Sequence, residues 1–159
     1  MVQKFIFILI LLTMFSMFNA VQFQKRAASF QECSSQLDSL TVTIQPDSIT
    51  TYQSDPGLFN ISGSLSKKII DNNTLLVVAF GNATGENLLV TPNAFIACYE
   101  NINPPCPINS GVQFHMEQVL LPVPTDLTSI STYVIIISMG VLVNNSLDVY
   151  ACAYANFTF

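Results

Sequence analysis

Apolar and polar residues alternate with a period of two over several short stretches of this chain. Leu40, Val42 and Ile44 alternate with Thr41, Thr43 and Gln45, which predicts a strand buried on one face. Pro46-Asp47 ends it, and Ser54-Asp55-Pro56-Gly57 is a turn signal. Phe59, Ile61, Gly63 and Leu65 then alternate with Asn60, Ser62, Ser64 and Ser66, so that Asn60 belongs to an outer face. Asp71-Asn72-Asn73 and Gly81-Asn82-Ala83-Thr84-Gly85 bracket a third strand, Thr74 to Phe80. A fourth is expected over Leu88 to Cys98, bent or at an edge because of Pro92. Next, Val112, Phe114, Met116 and Gln118 should face one way, and Gln113, His115 and Glu117 the other. Pro122 and Pro124 break the chain. Thr132 to Val143 is continuously apolar apart from Ser138, Asn144-Asn145 is a hairpin signal, and Ser146 to Phe159 is the last predicted strand.

Seven strands at this spacing, with no convincing helix after about residue 27, predict an all-β fold, a two-sheet immunoglobulin-like β-sandwich. Phe59, Phe80, Phe95, Phe114, Met116, Val134, Ile136 and Met139 can supply a large apolar interior. Periodicity does not tell whether such side chains touch one another or surround a ligand. On composition alone a packed core is the commoner arrangement.

The beginning of the chain has a different pattern. Lys4 precedes Phe5 to Phe18, an apolar run of 14 residues interrupted only by Thr13 and Ser16. A spanning helix needs about 20 apolar residues, so residues 1–20 read as a secretory signal peptide. Lys25-Arg26 offers a later processing site, as far as residue 26; an uncleaved N-terminal anchor is the competing reading. Residues 27–159 then form one domain, long enough for one sizeable core.

Charge narrows the class of partner. Half of the 159 residues are hydrophobic and 9% are charged, against roughly 25% in an ordinary globular domain. All ten carboxylates lie after Arg26, where Lys67 and Lys68 are the remaining cations, so the mature net charge is −8. A nucleic-acid partner needs a basic face that releases phosphate counterions, and none is expected here.

Cys33, Cys98, Cys106 and Cys152 are an even set behind an export signal, which reads as two disulfides. Three connectivities are possible. Cys98 and Cys106 bracket a turn-rich loop, Tyr99-Glu100-Asn101-Ile102-Asn103-Pro104-Pro105, where local pairing is natural; that leaves Cys33 with Cys152, although spacing does not choose strictly. No CxxC pair supports zinc. Asn60, Asn72, Asn82, Asn144 and Asn156 each begin an Asn-x-Ser/Thr sequon, a short motif that marks candidate glycosylation sites.

Catalytic patterns are not evident: the chain has no GxSxG, HExxH, P-loop or GxGxxG. His115 is the single histidine, and its strand phase puts it on a solvated face. The carboxylates are scattered over turns and outer faces. No catalytic residue, metal or cofactor is therefore expected, and the chain does not read as an enzyme.

Taken in order, several landmarks resemble the ML lipid-recognition domain, the family of phosphatidylglycerol/phosphatidylinositol transfer proteins and the Niemann–Pick type C cholesterol-transfer protein. They are Cys33, the strand Leu40 to Ile44, Phe59-Asn60-Ile61-Ser62-Gly63-Ser64-Leu65, Cys98, Cys106-Pro107-Ile108, Gly111, the segment Leu120-Leu121-Pro122-Val123-Pro124 and Cys152. The resemblance spans about Phe30 to Phe159. It implies two sheets splayed around an apolar cavity that takes up one phospholipid or sterol, and the pairs Cys33–Cys152 and Cys98–Cys106. The cavity wall is then expected from Phe59, Ile61, Leu65, Leu76, Val78, Phe80, Val112, Phe114, Met116, Val134 and Ile136. Its mouth is expected near Ile102, Pro104, Pro105, Pro107 and Ile108. Some relatives carry a further disulfide in an early loop; this chain has no cysteines for it. The expected function is that of a monomeric lipid-transfer protein, secreted or in the lumen of the secretory or vacuolar-lysosomal pathway, making transient membrane contact. The alternative is a secreted structural or recognition β-sandwich with a filled core.

Overall fold

The computed structural model describes residues 29–45, 57–99, 101–121 and 132–158. The expected export signal, the turn before Gly57 and the Pro122–Pro124 break lie outside the described residues. Within them the chain is all β, with nine strands: β1 (Gln31–Glu32), β2 (Asp38–Gln45), β3 (Gly57–Ser64), β4 (Leu75–Gly81), β5 (Asn93–Ile96), β6 (Ile102–Asn103), β7 (Gln113–Leu121), β8 (Thr132–Val143) and β9 (Ser146–Thr158). One 3-10 turn, Ala97–Tyr99, follows β5. The two strands beyond the seven expected are β1 and β6, each two residues long and too short to leave a periodic signal. The fourth expected strand, Leu88 to Cys98, shrinks to β5; upstream of Pro92 only Leu88 makes a bridge, to Gly81.

The strands form one curled mixed path in the order β5-β4-β8-β9-β2-β3-β7-β6, with β1 beside β9. Strand β2 joins the two halves. Its first residues, Asp38 and Ser39, run parallel to Ala151 and Cys152 of β9, and Leu40 to Gln45 pair antiparallel with β3. Asp38 also fixes the end of β3, because its carboxylate accepts the Ser66 N–H at 2.8 Å. One hydrophobic cluster draws on both halves, so the path wraps around a shared interior.

Each ladder has its own packing logic. On β3 and β7 the inward residues are Phe59, Ile61, Phe114, Met116 and Val119, all at most 2% exposed. On β8 they are Tyr133, Ile135, Ile137 and Met139, which pair with Phe157, Ala155, Ala153 and Ala151 of β9. Three alanines thus stand opposite two isoleucines and a methionine, and small against large leaves room for the side chains of other strands. Tyr133 and Phe157 stack with centroids 5.3 Å apart.

Two bulges set the phase. Phe59 pairs with Val119 but Ile61 with Met116, so Glu117 and Gln118 together oppose Asn60. Gln118 takes a left-handed φ of 55°, and its N–H donates to Asn60 Oδ1 at 3.0 Å. The second bulge follows Met139. There Gly140 lies so close to the Asp148 carbonyl that a Cβ would collide with it. The β8–β9 hairpin closes through Asn144 and Asn145, with φ of 51° and 64°, as a two-residue primed turn requires.

Candidate functional site

Eight of the eleven expected wall residues meet in the interior: Phe59, Ile61, Leu65, Leu76, Val78, Phe80, Phe114 and Met116 are each at most 2% exposed and belong to one contiguous cluster. They come from β3, the turn after it, β4 and β7. Period-2 alternation brings them there: on each strand the intervening residues are more exposed. Among the described residues the buried polar groups are the Thr74 and Ser138 side chains and the Tyr133 hydroxyl. Thr74 caps the turn before β4, where the Asp71 N–H donates to its Oγ1 at 3.0 Å. The interior can therefore offer apolar contact and little else.

Three expected wall residues are elsewhere. Val112 is exposed; it precedes β7 in the turn made by Asn109 to Val112, so strand phase does not govern it. Val134 and Ile136 lie on the other face of β8, since Tyr133, Ile135, Ile137 and Met139 take the inner one; Val134 is nonetheless buried there, and Ile136 is half-buried. The run Val134-Ile135-Ile136-Ile137 carries no polar residue to mark its phase. Gln118, expected to align with Met116, is exposed because the bulge hands the inward place to Val119.

Sequence reasoning also missed contributors. Ile70 is buried from a loop and bridges Ile108 through two backbone hydrogen bonds of 2.9 and 3.0 Å. No periodic signal accompanies it. Tyr133, Ile135 and Ile137 share their parity with Met139, and that parity was the available clue. Tyr133 is fully buried beside Phe80 and Phe157, and burial pushes its phenol up from 10.0 to about 12.

The expected mouth is a tethered loop. Cys98–Cys106 closes it, with Cα atoms 5.7 Å apart. Ile102 and Ile108 are buried, Pro104 is half-buried, and Pro105 and Pro107 face solvent. Ile102 pairs with Met116, so the loop is pinned at both ends to the apolar cluster. The other bridge, Cys33–Cys152, ties the start of the described chain to β9 across 119 positions.

Charge stays outside. Lys68 lies 3.7 Å from Asp148 and 4.5 Å above the Tyr150 ring. His115 is exposed, as its phase predicts, with Nε2 3.4 Å from Glu117 Oε1. Among the described residues no His, Cys, Asp and Glu side chains gather into a metal-binding group, and no helix is long and apolar enough to cross a membrane. The two disulfides are consistent with an extracellular or secretory-lumen protein.

An open cleft of about 380 Å³ lies on the other side of β8 and β9, lined by Val134, Ile136, Tyr154 and Asn156, the turn residues Ala83 to Gly85, and Cys33. Sequence reasoning named Val134 and Ile136 as interior wall, Asn156 as a sequon and Cys33 as a bridge cysteine, and did not bring them together in an outer cleft. No protein-family model matches the chain, and no curated protein matches it.

Proposed function

We propose that the chain is a secreted lipid-binding protein that carries a phospholipid or sterol between membranes, with the lipid held among Phe59, Ile61, Phe80, Phe114 and Met116. The observation that carries this reading is an interior assembled from both halves of a curled sheet and lined almost wholly by apolar side chains. Such an interior favours an acyl chain or sterol ring by about 0.8 kcal/mol per buried CH₂. Met116 and Met139 can repack around an irregular guest. The disulfide-tethered loop from Cys98 to Cys106 closes one end through Ile102 and Ile108, and a lipid would enter by parting it from β7 and Ile70. The phosphatidylglycerol/phosphatidylinositol and sterol carriers of the ML family are the proteins it resembles in the order of its landmarks. Membrane contact would be transient and the working unit a monomer.

A second reading has its own support. The eight interior residues are in contiguous contact at 0–2% exposure, which is also how a filled core looks. A structural or recognition domain without cargo would have this interior.

Native mass spectrometry and lipid extraction of protein from a eukaryotic secretory host separate the two. One lipid per chain is expected of a carrier; preparations that stay empty and refuse added phospholipid and sterol would overturn it. Met116→Trp sharpens the result. In a carrier it lowers lipid uptake with little change in the melting point of empty protein. In a filled core it overpacks and costs about 1–3 kcal/mol. Gln113→Trp, on the exposed face, is the control.

A further inference from the structure

The outer face of the β8–β9 ladder carries the open cleft. Val134 pairs with Asn156 and Ile136 with Tyr154, and directly opposed residues of an antiparallel pair project to the same side. That side is opposite to Ile135 and Ile137. Val134 and Ile136 floor the open cleft, and Ala83 and Thr84 of the β4–β5 turn form one of its margins.

Asn156 stands in this cleft with an exposed side chain and begins the sequon Asn156-Phe157-Thr158. Tyr154, two residues before it, shares its face by the strand period. The tyrosine ring is fixed, because its hydroxyl donates to Gln31 Oε1 at 3.0 Å. Two of the other sequons are differently placed. Asn60 is half-buried, with Oδ1 occupied by the Gln118 N–H. Asn82 is likewise half-buried, and its Oδ1 accepts from the Thr84 hydroxyl and the Asn87 N–H.

We propose that Asn156 carries an N-linked glycan whose first N-acetylglucosamine seats in the cleft, its C–H face against Tyr154 and Ile136. The donor is a lipid-pyrophosphate-linked oligosaccharide. Asn156 Nδ2 forms a bond to C1 of the sugar, the C1–O bond to the pyrophosphate breaks, Nδ2 loses one proton, and the lipid pyrophosphate departs. The sugar then covers apolar surface on a sheet whose inner face is already buried, as apolar contact favours. This inference rests on entry into the secretory lumen and is independent of lipid cargo.

Glycopeptide mapping of protein secreted by a eukaryotic host is expected to find Asn156 occupied. Trimming the glycan to its first sugar should leave the melting temperature unchanged. Removing that sugar enzymatically, or blocking its addition with Thr158→Ala, should lower it by about 2–4 °C and raise the binding of an apolar dye. Secreted protein with other sequons occupied and Asn156 bare would overturn the inference alone. So would an occupied Asn156 whose complete deglycosylation changes neither melting nor dye binding. A chain retained in the cytosol with every sequon bare would overturn the secretory reading and this inference with it.

Discussion

The β3–β7 and β8–β9 ladders solve one packing problem in two ways. On β3 and β7 the outward residues are Asn60, Ser62, Gln113, His115 and Glu117, so polarity alone names the inner face. On β8 and β9 the outward side bears Val134, Ile136 and Tyr154 among Thr132, Ser138 and Asn156, and polarity names the face only weakly. The face is chosen there by size, since Ala151, Ala153 and Ala155 leave room on one side for Ile135, Ile137 and Met139. A strand that is apolar on both faces can be oriented by its partner's small residues as firmly as by its own polar ones.

The largest test of this contrast is at the bulges and close approaches. Gly140→Val drives a side chain into the Asp148 backbone and should cost about 3 kcal/mol or more in denaturant unfolding. Gly63→Ala places its Cβ 3.1 Å from the Ser39 carbonyl oxygen, a fit that small shifts can relieve, at about 1 kcal/mol. Equal costs would mean that β9 does not bulge opposite Gly140 where the register indicates.

Next is the phase of β8. Ile135→Ala should lose about 2–4 kcal/mol, within the range for a buried isoleucine. Ile136→Ala, half-exposed on the outer face, should lose about 1 kcal/mol. The reverse order would restore Ile136 to the interior.

The β3–β7 bulge should respond more gently. Asn60→Ala removes the acceptor for the Gln118 N–H and should cost about 1 kcal/mol in unglycosylated protein. Gln118→Gly relieves a left-handed φ of 55° and should gain about 0.5–1 kcal/mol. Ser62→Ala, which abolishes the sequon and spares the hydrogen bond, separates the two roles of Asn60.

The smallest effect is a change of slope with pH. Burial raises the Tyr133 phenol from 10.0 to about 12, so the folded state holds the proton that the unfolded chain gives up first. The stability tied to that proton is fully present below pH 10 and is lost as the pH rises towards 12. Unfolding midpoints of Tyr133→Phe should fall less steeply across this window than those of the parent protein. Equal slopes would mean that the phenol is not held neutral by burial.

The all-β fold was legible because alternation, turn residues and prolines agree along most of the chain. Leu40, Val42 and Ile44 point inwards as their threonine neighbours require, and Asn144-Asn145 makes the hairpin its composition announces. Three kinds of information were not legible. The inner phase of Val134 to Ile137 is marked locally only by the parity of Thr132 and Ser138 and is fixed by alanines 12 to 20 positions away on β9. The burial of Ile70 depends on a bridge to Ile108 that no local pattern encodes. The outer cleft exists because Asn156 and Tyr154 are brought beside Val134, Ile136 and the Ala83–Gly85 turn, a meeting of segments up to 73 positions apart. Pairing across the sheet carries all three, and a period read along one strand does not contain it.

Strand β9 contacts β1, β2 and β8 and lies C-terminal to every one of them. During synthesis it leaves the ribosome after all three. β2 can find β3 early, but its parallel contact at Asp38 and Ser39 has no partner until Ala151 and Cys152 have emerged. The nascent chain must therefore travel with β8 unpaired on one side and an apolar interior open along that seam, a state prone to association with other chains. Vectorial synthesis makes β9 the closing stitch, and chaperone demand should fall sharply once it is free.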